Sequence, residues 1–164
     1  MYSFENLVFF RGTSVKVDPS SCTIQRVRKD RKPRDTPLHL HNAADEWFLS
    51  NFGVRFRSQA ILLSSSQQTA TAYASSPANV HRIIPIDKYQ FCWSPKVTDM
   101  LQLIDATTTP EKLRTALSAS AYQTDDLKSA YESKNEVMLF CENYVAIPIK
   151  LIDVAPVMPI ILIT

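Results

Sequence analysis

The clearest pattern of apolar positions predicts a helix that begins near Pro37. Apolar residues recur at helical spacing, at Leu40, Ala43, Ala44, Trp47, Phe48 and Phe52. Asp35 and Thr36 are of the types that cap a helix, and proline suits the first helical position. Gly53 then ends the helix, since glycine readily adopts the left-handed backbone of a C-cap.

Shorter apolar runs predict strands at residues 7–10, 54–57, 61–63, 81–86, 89–93, 135–140 and 144–151. The run at 54–57 alternates as a half-buried strand does. Pro85 favours an edge or bulged strand, because proline cannot donate to a ladder. Only three residues, 141–143, separate the last two runs, which predicts a strand pair joined by a turn.

The remaining segments predict short helices. One follows the serines at 64–66, and its small residues Ala70 and Ala74 indicate close packing. Three more begin at Ser94, at Thr109 and at the capping residues Thr124, Asp125 and Asp126. Strands and helices in this order are typical of a mixed α+β fold, and 164 residues suit a single domain over residues 1–164.

Composition excludes several kinds of site. The chain has two glycines, Gly12 and Gly53, which are too few for a P-loop or a GxGxxG dinucleotide turn. Its three cysteines are scattered and form no CxxC pair, which argues against a disulfide scaffold or structural zinc.

Neither a signal peptide nor a membrane span is predicted. Glu5 and Arg11 bracket only a short apolar run near the start of the chain. The apolar stretch at 151–163 is broken by Asp153, Pro156 and Pro159, well short of the ~20 residues that cross a bilayer. We expect action in the cytoplasm without membrane contact. Delivery by a leaderless secretion route stays open.

Residues 26–34 form a basic segment with six cationic side chains and one acid, Asp30. Such a segment is either a solvated loop or a surface for phosphates. Its basic residues are Arg26, Arg28, Lys29, Arg31, Lys32 and Arg34.

Three further segments carry candidate chemistry. Arg11 and Gly12 end an early strand, where a guanidinium and an open backbone suit an anion. Ser64, with the next two serines, ends another strand and offers hydroxyls to a ligand. Glu136 stands at the head of an apolar run. Each also has a structural interpretation, as a salt-bridged surface arginine, capping serines and a solvated edge glutamate.

Taken together, residues 9–13, 63–66 and 135–139 resemble the arginine–serine–glutamate branch of the ADP-ribosyltransferase superfamily. The first segment is similar to the aromatic-Arg-Gly strand end of that family. The second, with Ala70 and Tyr73 downstream, resembles its Ser-Thr-Ser segment, and the third its catalytic-glutamate strand. The resemblance covers about residues 6–152, and only these short segments are specific.

The resemblance implies a split β-sheet core with peripheral helices, and a transferase that uses NAD as substrate without a metal. Glu136 would hold a ribose hydroxyl and stabilise the developing positive charge, Arg11 would hold the phosphate or ribose side, and Ser64 would orient Glu136. Gly12 would let the nicotinamide amide reach the main chain. The remaining NAD contacts would be Thr13, Ser65 and Ser66, with Tyr73 or Phe56 against the nicotinamide ring.

One departure bears on the acceptor. Members that modify protein arginines usually carry Glu or Gln two residues before the catalytic glutamate, where this chain has Lys134. A cation there disfavours a guanidinium acceptor. Lys134 and the basic segment instead favour nucleic acid such as RNA, and a non-arginine protein side chain stays open.

The resemblance also implies a bacterial toxin or effector and, with it, an inhibitory partner such as an antitoxin. The apolar tail, residues 153–164, is either a docking segment for that partner or a final edge strand. Three alternatives stay open: an inactive module that binds nucleotide or nucleic acid, a metal-independent ribonuclease using His39, His41 or His81, and, remotely, a thiol hydrolase built on Cys92 or Cys141.

Overall fold

The computed structural model describes residues 2–14 and 18–152, in which seven strands and six helices form a mixed α+β architecture. The strands are β1 Phe10–Gly12, β2 Thr23–Arg26, β3 Ile61–Leu63, β4 Val80–Pro85, β5 Gln90–Trp93, β6 Val137–Phe140 and β7 Asn143–Pro148. The helices are α1 Leu38–Phe52, α2 Phe56–Gln59, α3 Gln67–Tyr73, α4 Pro110–Ala119, α5 Leu127–Ser133 and α6 Ile149–Ile152. The predicted α+β class is confirmed.

The strands form two antiparallel sheets. One has the order β1-β4-β7-β2 and the other the order β3-β6-β5. The sheets meet where Phe10 and Ser64 exchange backbone hydrogen bonds of 2.8 and 3.0 Å. The start of β1 and the end of β3 are thereby brought together.

Two apolar cores lie on either side of the three-stranded sheet. Val137 and Leu139 of β6 face the four-stranded sheet, where they join Phe9 and Ile83. Met138, between them, points to the opposite face, because side chains alternate along a strand. There it packs in a second core with residues of α1 and α4, among them Phe48, Leu113 and Leu117.

Three helices with local start or stop signals, α1, α4 and α5, form where the sequence predicts them. The long helix α1 ends at Gly53, whose φ of 77° is left-handed and whose N–H bonds to the carbonyl of Leu49. Its start lies one residue later than predicted, and no side chain caps it. The side chains of Thr109 and Asp126 cap α4 and α5 as expected.

Two local predictions are wrong. Residues 54–57 are not a strand, because the carboxylate of Asp45 accepts hydrogen bonds from the backbone N–H groups of Arg57 and Ser58 and so stabilises the helical turn α2. The helix predicted after Ser94 is only a 3-10 turn at Met100–Leu103. The Ser94 hydroxyl instead accepts from two backbone N–H groups that follow it.

Two predictions about strand pairing are also wrong. β6 and β7 lie in different sheets, and α6 replaces the end of the predicted last strand. β4 is an inner strand, between β1 and β7. Pro85 is tolerated there because Ile83 already donates to Phe9 on the β1 side, and β1 does not pair beyond that point. No hydrogen bond of the sheet is therefore lost because proline lacks an N–H at this position.

None of the helices in the described ranges is long and apolar enough to cross a membrane. The tail at 153–164, predicted as a docking segment or an edge strand, lies outside those ranges.

Candidate functional site

A cleft of about 660 Å³ opens beside the junction of the two sheets. Its volume lies in the range of pockets that hold drug-sized ligands. Three segments that are distant in the sequence contribute six of the residues predicted for NAD to its lining: Arg11, Gly12, Thr13, Ser64, Tyr73 and Glu136.

Glu136 lies just before β6, with its side chain 12% exposed. Its backbone N–H donates to the carbonyl of Thr98, which fixes the main chain at this point. Its Oε1 accepts a hydrogen bond of 2.8 Å from Nη1 of Arg57. Burial raises the pKa of Glu136, and the Arg57 charge opposes that effect. The bond to Oε1 leaves Oε2 for a ligand.

Arg57 is a site residue that the sequence reasoning missed. Its side chain is 8% exposed and forms a buried ion pair with Glu136, 79 positions away in the chain. Asp45 holds the helical turn that carries it. The Nε2 of His41 lies 3.7 Å from Asp45 on the same helix, α1, and the bonds from Asp45 to the backbone of α2 tie that helix to the cluster. The alternation at 54–57 predicted a half-buried strand and did not single out Arg57 as a buried charge.

Arg11 presents its charge to the cleft. Its Nη1 donates to the Tyr144 hydroxyl at 2.8 Å, and that hydroxyl donates to Oε1 of Gln25 at 2.7 Å. Burial raises the pKa of Tyr144, so the phenol is neutral. Within the described ranges, Arg11 has no ion-pair partner. An anion in the cleft would therefore find a positioned and uncompensated guanidinium.

Gly12 is required by packing. A Cβ on this residue would lie 1.9 Å from the carbonyl oxygen of Ala70 and 2.9 Å from the nitrogen of Ala74. The space on the Cβ side of Gly12 is thus filled by α3, while Gly12 itself lines the cleft, and its main-chain contact with a nicotinamide amide stays a prediction. Close packing through Ala70 and Ala74 agrees with the sequence prediction.

The three serines act mainly as structural groups. The Ser64 hydroxyl donates to the carbonyl of Lys134 at 3.0 Å and accepts from the N–H of Ser66. The predicted contact from Ser64 to the Glu136 carboxylate is therefore wrong, because Arg57 occupies that role. Ser65 donates to the carbonyl of Tyr131, and Ser66 caps α3. Of the three, Ser64 lines the cleft.

The two aromatic candidates differ in position. Tyr73 is 47% exposed and lines the cleft. Its hydroxyl donates to Asp99, and this bond raises the pKa of Tyr73 to about 12. Phe56 is fully buried, with its ring centroid 5.9 Å from that of Phe48. The prediction that Phe56 packs on nicotinamide is therefore wrong, since the ring belongs to the core.

The basic segment lies along the cleft, and five of its cations line it: Arg26, Arg28, Arg31, Lys32 and Arg34. Arg31 is the inner member. Burial, with Arg57 and Arg11 nearby, lowers the pKa of Arg31 to about 10. Lys29 instead lines a neighbouring depression of about 330 Å³. Lys134 is exposed at the end of α5, with a φ of 61°.

The other candidate residues occupy varied positions. His39 is exposed on α1, whereas His41 and His81 are buried and line the cleft. Cys92 and Cys141 are buried, and burial raises the pKa of both thiols, which disfavours a nucleophilic role. The described ranges contain no group of three or more His, Cys, Asp or Glu residues that could hold a metal ion.

Comparisons with known proteins found no match among family models, curated proteins or solved structures. The fold and the cleft define a mixed α+β protein with a buried carboxylate in a cationic pocket. Its function is therefore inferred from the chemistry of that pocket.

Proposed function

We propose that the chain is an NAD-dependent mono-ADP-ribosyltransferase. One observation carries this proposal: Arg11, Ser64 and Glu136, from three distant segments, line one cleft together with Tyr73. Positive and negative groups lie at the same site, as a ligand with a pyrophosphate and a cationic nicotinamide requires. The two-sheet architecture is compatible with the split sheet that the sequence resemblance implies.

The proposed reaction breaks the bond between nicotinamide and ribose. Nicotinamide leaves with the bonding electron pair, and positive charge develops on the ribose through an oxocarbenium-like state, as in other glycosyl transfers. The free Oε2 of Glu136 accepts from a ribose hydroxyl and stabilises that charge. A nucleophile of the acceptor then bonds to the ribose carbon and loses its proton. Arg11 binds the pyrophosphate.

Arg57 supports Glu136 in this scheme. The reaction needs an ionised carboxylate, whereas burial favours the protonated form. The Arg57 guanidinium stabilises the charged form through a bond of 2.8 Å. It therefore favours the ionised form of Glu136 against the effect of burial, and its bond to Oε1 orients the carboxylate.

The acceptor that best fits the cleft is a nucleic acid such as RNA. Arg28, Lys32 and Arg34 are exposed along the cleft, where they can contact phosphates while a base or sugar enters. Two of them have only exposed partners, since Arg28 pairs with Asp30 and Arg34 with Asp35. Such exposed ion pairs contribute about 0–1 kcal/mol, so a phosphate group can replace the carboxylate as the partner of each arginine.

Labelled NAD incubated with cell extract tests the transferase. We expect the wild-type chain to release nicotinamide and to transfer label to RNA, with loss of label on ribonuclease treatment. Glu136→Gln, which keeps a hydrogen bond to Arg57 but removes the charge, should abolish both. Label that resists ribonuclease and is lost on proteolysis would reassign the acceptor to protein. No nicotinamide release with any extract would reject the enzyme.

The roles of Ser64 and Glu136 can be separated. Because the Ser64 hydroxyl contacts the main chain of Lys134 and not the carboxylate, Ser64→Ala should reduce NAD turnover less than Glu136→Ala does. An equal or greater loss from the serine variant, at matched folding, would show that the hydroxyl acts directly in the reaction.

A toxin role follows from the same proposal. Expression of the wild-type chain inside a bacterial cell should inhibit growth, and expression of Glu136→Gln at the same level should not. An inhibitory partner encoded with the protein would then be needed by its host. Equal growth arrest by the wild-type chain and by Glu136→Gln would show that the toxicity does not come from the proposed transfer reaction.

The second candidate is an inactive module that binds a nucleotide or nucleic acid. The specific observation in its favour is that Glu136 is buried and already paired with Arg57. A carboxylate held in this way need not be available to a ribose. Saturable binding of NAD or RNA, without nicotinamide release, would favour this candidate.

A further inference from the structure

His81 is a buried group in the cleft that the proposed reaction does not use. It lies on β4 directly opposite Arg11 of β1. Residues directly opposite in an antiparallel pair project from the same face of the sheet, with Cβ atoms about 4.5–5.5 Å apart. Both side chains line the cleft. Arg11 and His81 are therefore neighbours that face one ligand.

The imidazole has an unused polar atom. His81 is 2% exposed, and among the described residues its Nε2 has no hydrogen-bond partner. A buried polar atom without a partner costs about 1–3 kcal/mol. Such a cost at a cleft wall is explained if a bound molecule supplies the missing hydrogen bond.

The state of the ring indicates what that molecule must offer. Burial lowers the pKa of His81, a hydrogen bond with the Asn79 backbone opposes the shift, and Arg11 adds to it. The ring is therefore neutral at pH 7. The Asn79 backbone group favours the protonated ring, so it is the carbonyl, which accepts a proton from the imidazole. Because Nε2 has no partner among the described residues, the nitrogen that donates to this carbonyl is Nδ1. The free Nε2 then carries a lone pair and needs a donor, so it repels a phosphate oxygen and suits a hydroxyl.

We propose that Arg11 and His81 form a subsite for a sugar phosphate, in which Arg11 binds a phosphoryl oxygen and Nε2 of His81 accepts a hydrogen bond from a sugar hydroxyl. The subsite rests on the proposed function for the identity of its ligand. NAD fits it because NAD carries ribose hydroxyls close to its pyrophosphate. It concerns binding alone and requires no turnover.

Calorimetric titration with ADP-ribose and with pyrophosphate tests the subsite. His81→Phe keeps a ring in the sheet but removes both nitrogens. We expect this variant to bind ADP-ribose about tenfold more weakly, the value of one buried hydrogen bond, and pyrophosphate within about twofold of wild type. Arg11→Met should weaken both ligands. His81→Gln, with an amide near the position of Nε2, should recover part of the ADP-ribose affinity.

Folding is checked by circular dichroism, and if His81→Phe does not fold, His81→Leu is compared with wild type instead: a loss for ADP-ribose alone supports the subsite. Unchanged ADP-ribose affinity in the folded phenylalanine or leucine variant would overturn the proposal, as would an equal loss for pyrophosphate. Absence of saturable ADP-ribose binding by the wild-type chain would overturn it too.

These results are distinct from failure of the transferase. If the ligand selectivity is as expected but NAD is never cleaved, the sugar-phosphate subsite stands and the enzyme is rejected. If NAD is cleaved and the His81 variants bind ADP-ribose normally, the transferase stands and the subsite is rejected.

Discussion

Replacing Arg57 by leucine should destabilise the protein strongly at neutral pH. The substitution removes the guanidinium that bonds to Glu136 at 2.8 Å and leaves the carboxylate in a site where its side chain is 12% exposed. Removing one partner of a buried ion pair costs about 3–5 kcal/mol, because the remaining charge is desolvated and uncompensated. A domain typically unfolds with about 5–15 kcal/mol, so this is a large fraction of its stability.

The loss should depend on pH in a defined direction. Burial already raises the pKa of Glu136 in spite of Arg57, and without Arg57 burial and the charge of Asp99 hold the folded-state pKa still further above the unfolded value. Below the unfolded pKa the carboxyl is protonated in both states, and the penalty is absent. As pH rises above it, the unfolded state releases its proton first, and the penalty grows by about 1.4 kcal/mol per pH unit up to the folded-state pKa. The difference between Arg57→Leu and wild type should therefore narrow from pH 7 to pH 4.

Urea unfolding followed by circular dichroism at several pH values measures this difference. Arg55→Leu is a matched control, two residues earlier and without an ion pair in the described ranges. The double variant Arg57→Leu, Glu136→Leu should recover much of the loss, because apolar replacement of a whole buried pair is often neutral. A loss under about 1 kcal/mol at pH 7, a difference independent of pH, or strict additivity in the double variant would refute the reasoning.

Three further variants test the structural roles of cleft and core residues. Gly12→Ala places a methyl group against Ala70 and should lower stability by at least about 1–3 kcal/mol, seen as a reduced Tm; an unchanged Tm would contradict the packing of α3. Phe56→Ala should lower the free energy of unfolding by about 3–5 kcal/mol, because the ring is buried in the core. The KM for NAD of the folded protein should not change, and a raised KM would show that Phe56 contacts NAD. Tyr73→Phe, which loses only the bond to Asp99, should keep the KM for NAD within about twofold, whereas Tyr73→Ala should raise it about tenfold; equal effects would exclude a ring contact.

The parts of the fold that the sequence predicted are those with local signals. Helix α1 has helical apolar spacing and a C-cap glycine, and Thr109 caps α4 through a bond to the backbone three residues later. Strand partners carry no such local signal. The short link between β6 and β7 resembles a hairpin turn, yet the chain passes from one sheet to the other there. Which sheet each strand joins depends on the two cores, whose contacts span most of the chain.

The residues of the candidate site that the sequence predicted are likewise those with a local signal. Arg11, Ser64 and Glu136 were found because each stands where an apolar run begins or ends, and they line one cleft. Arg57 could not be found in this way. Its helical turn depends on Asp45, and the burial of its charge depends on an ion pair with Glu136, 79 positions later. His81 was named only as a ribonuclease candidate. Its position beside Arg11 follows from a strand register that the sequence does not reveal.

The balance of charge in the cleft favours a ligand that carries both signs. Glu136 offsets the charge of Arg57, with which it is paired. Of the buried or half-buried arginines that line the cleft, Arg11 and Arg31 remain, and Arg31 stays protonated at neutral pH even with its lowered pKa of about 10. Two cations match the two negative charges of a pyrophosphate. Beside them, the second oxygen of Glu136 attracts a cation and repels a further phosphate. A dinucleotide with a cationic base therefore complements the cleft better than a nucleoside triphosphate, whose third phosphate would have to lie near that carboxylate.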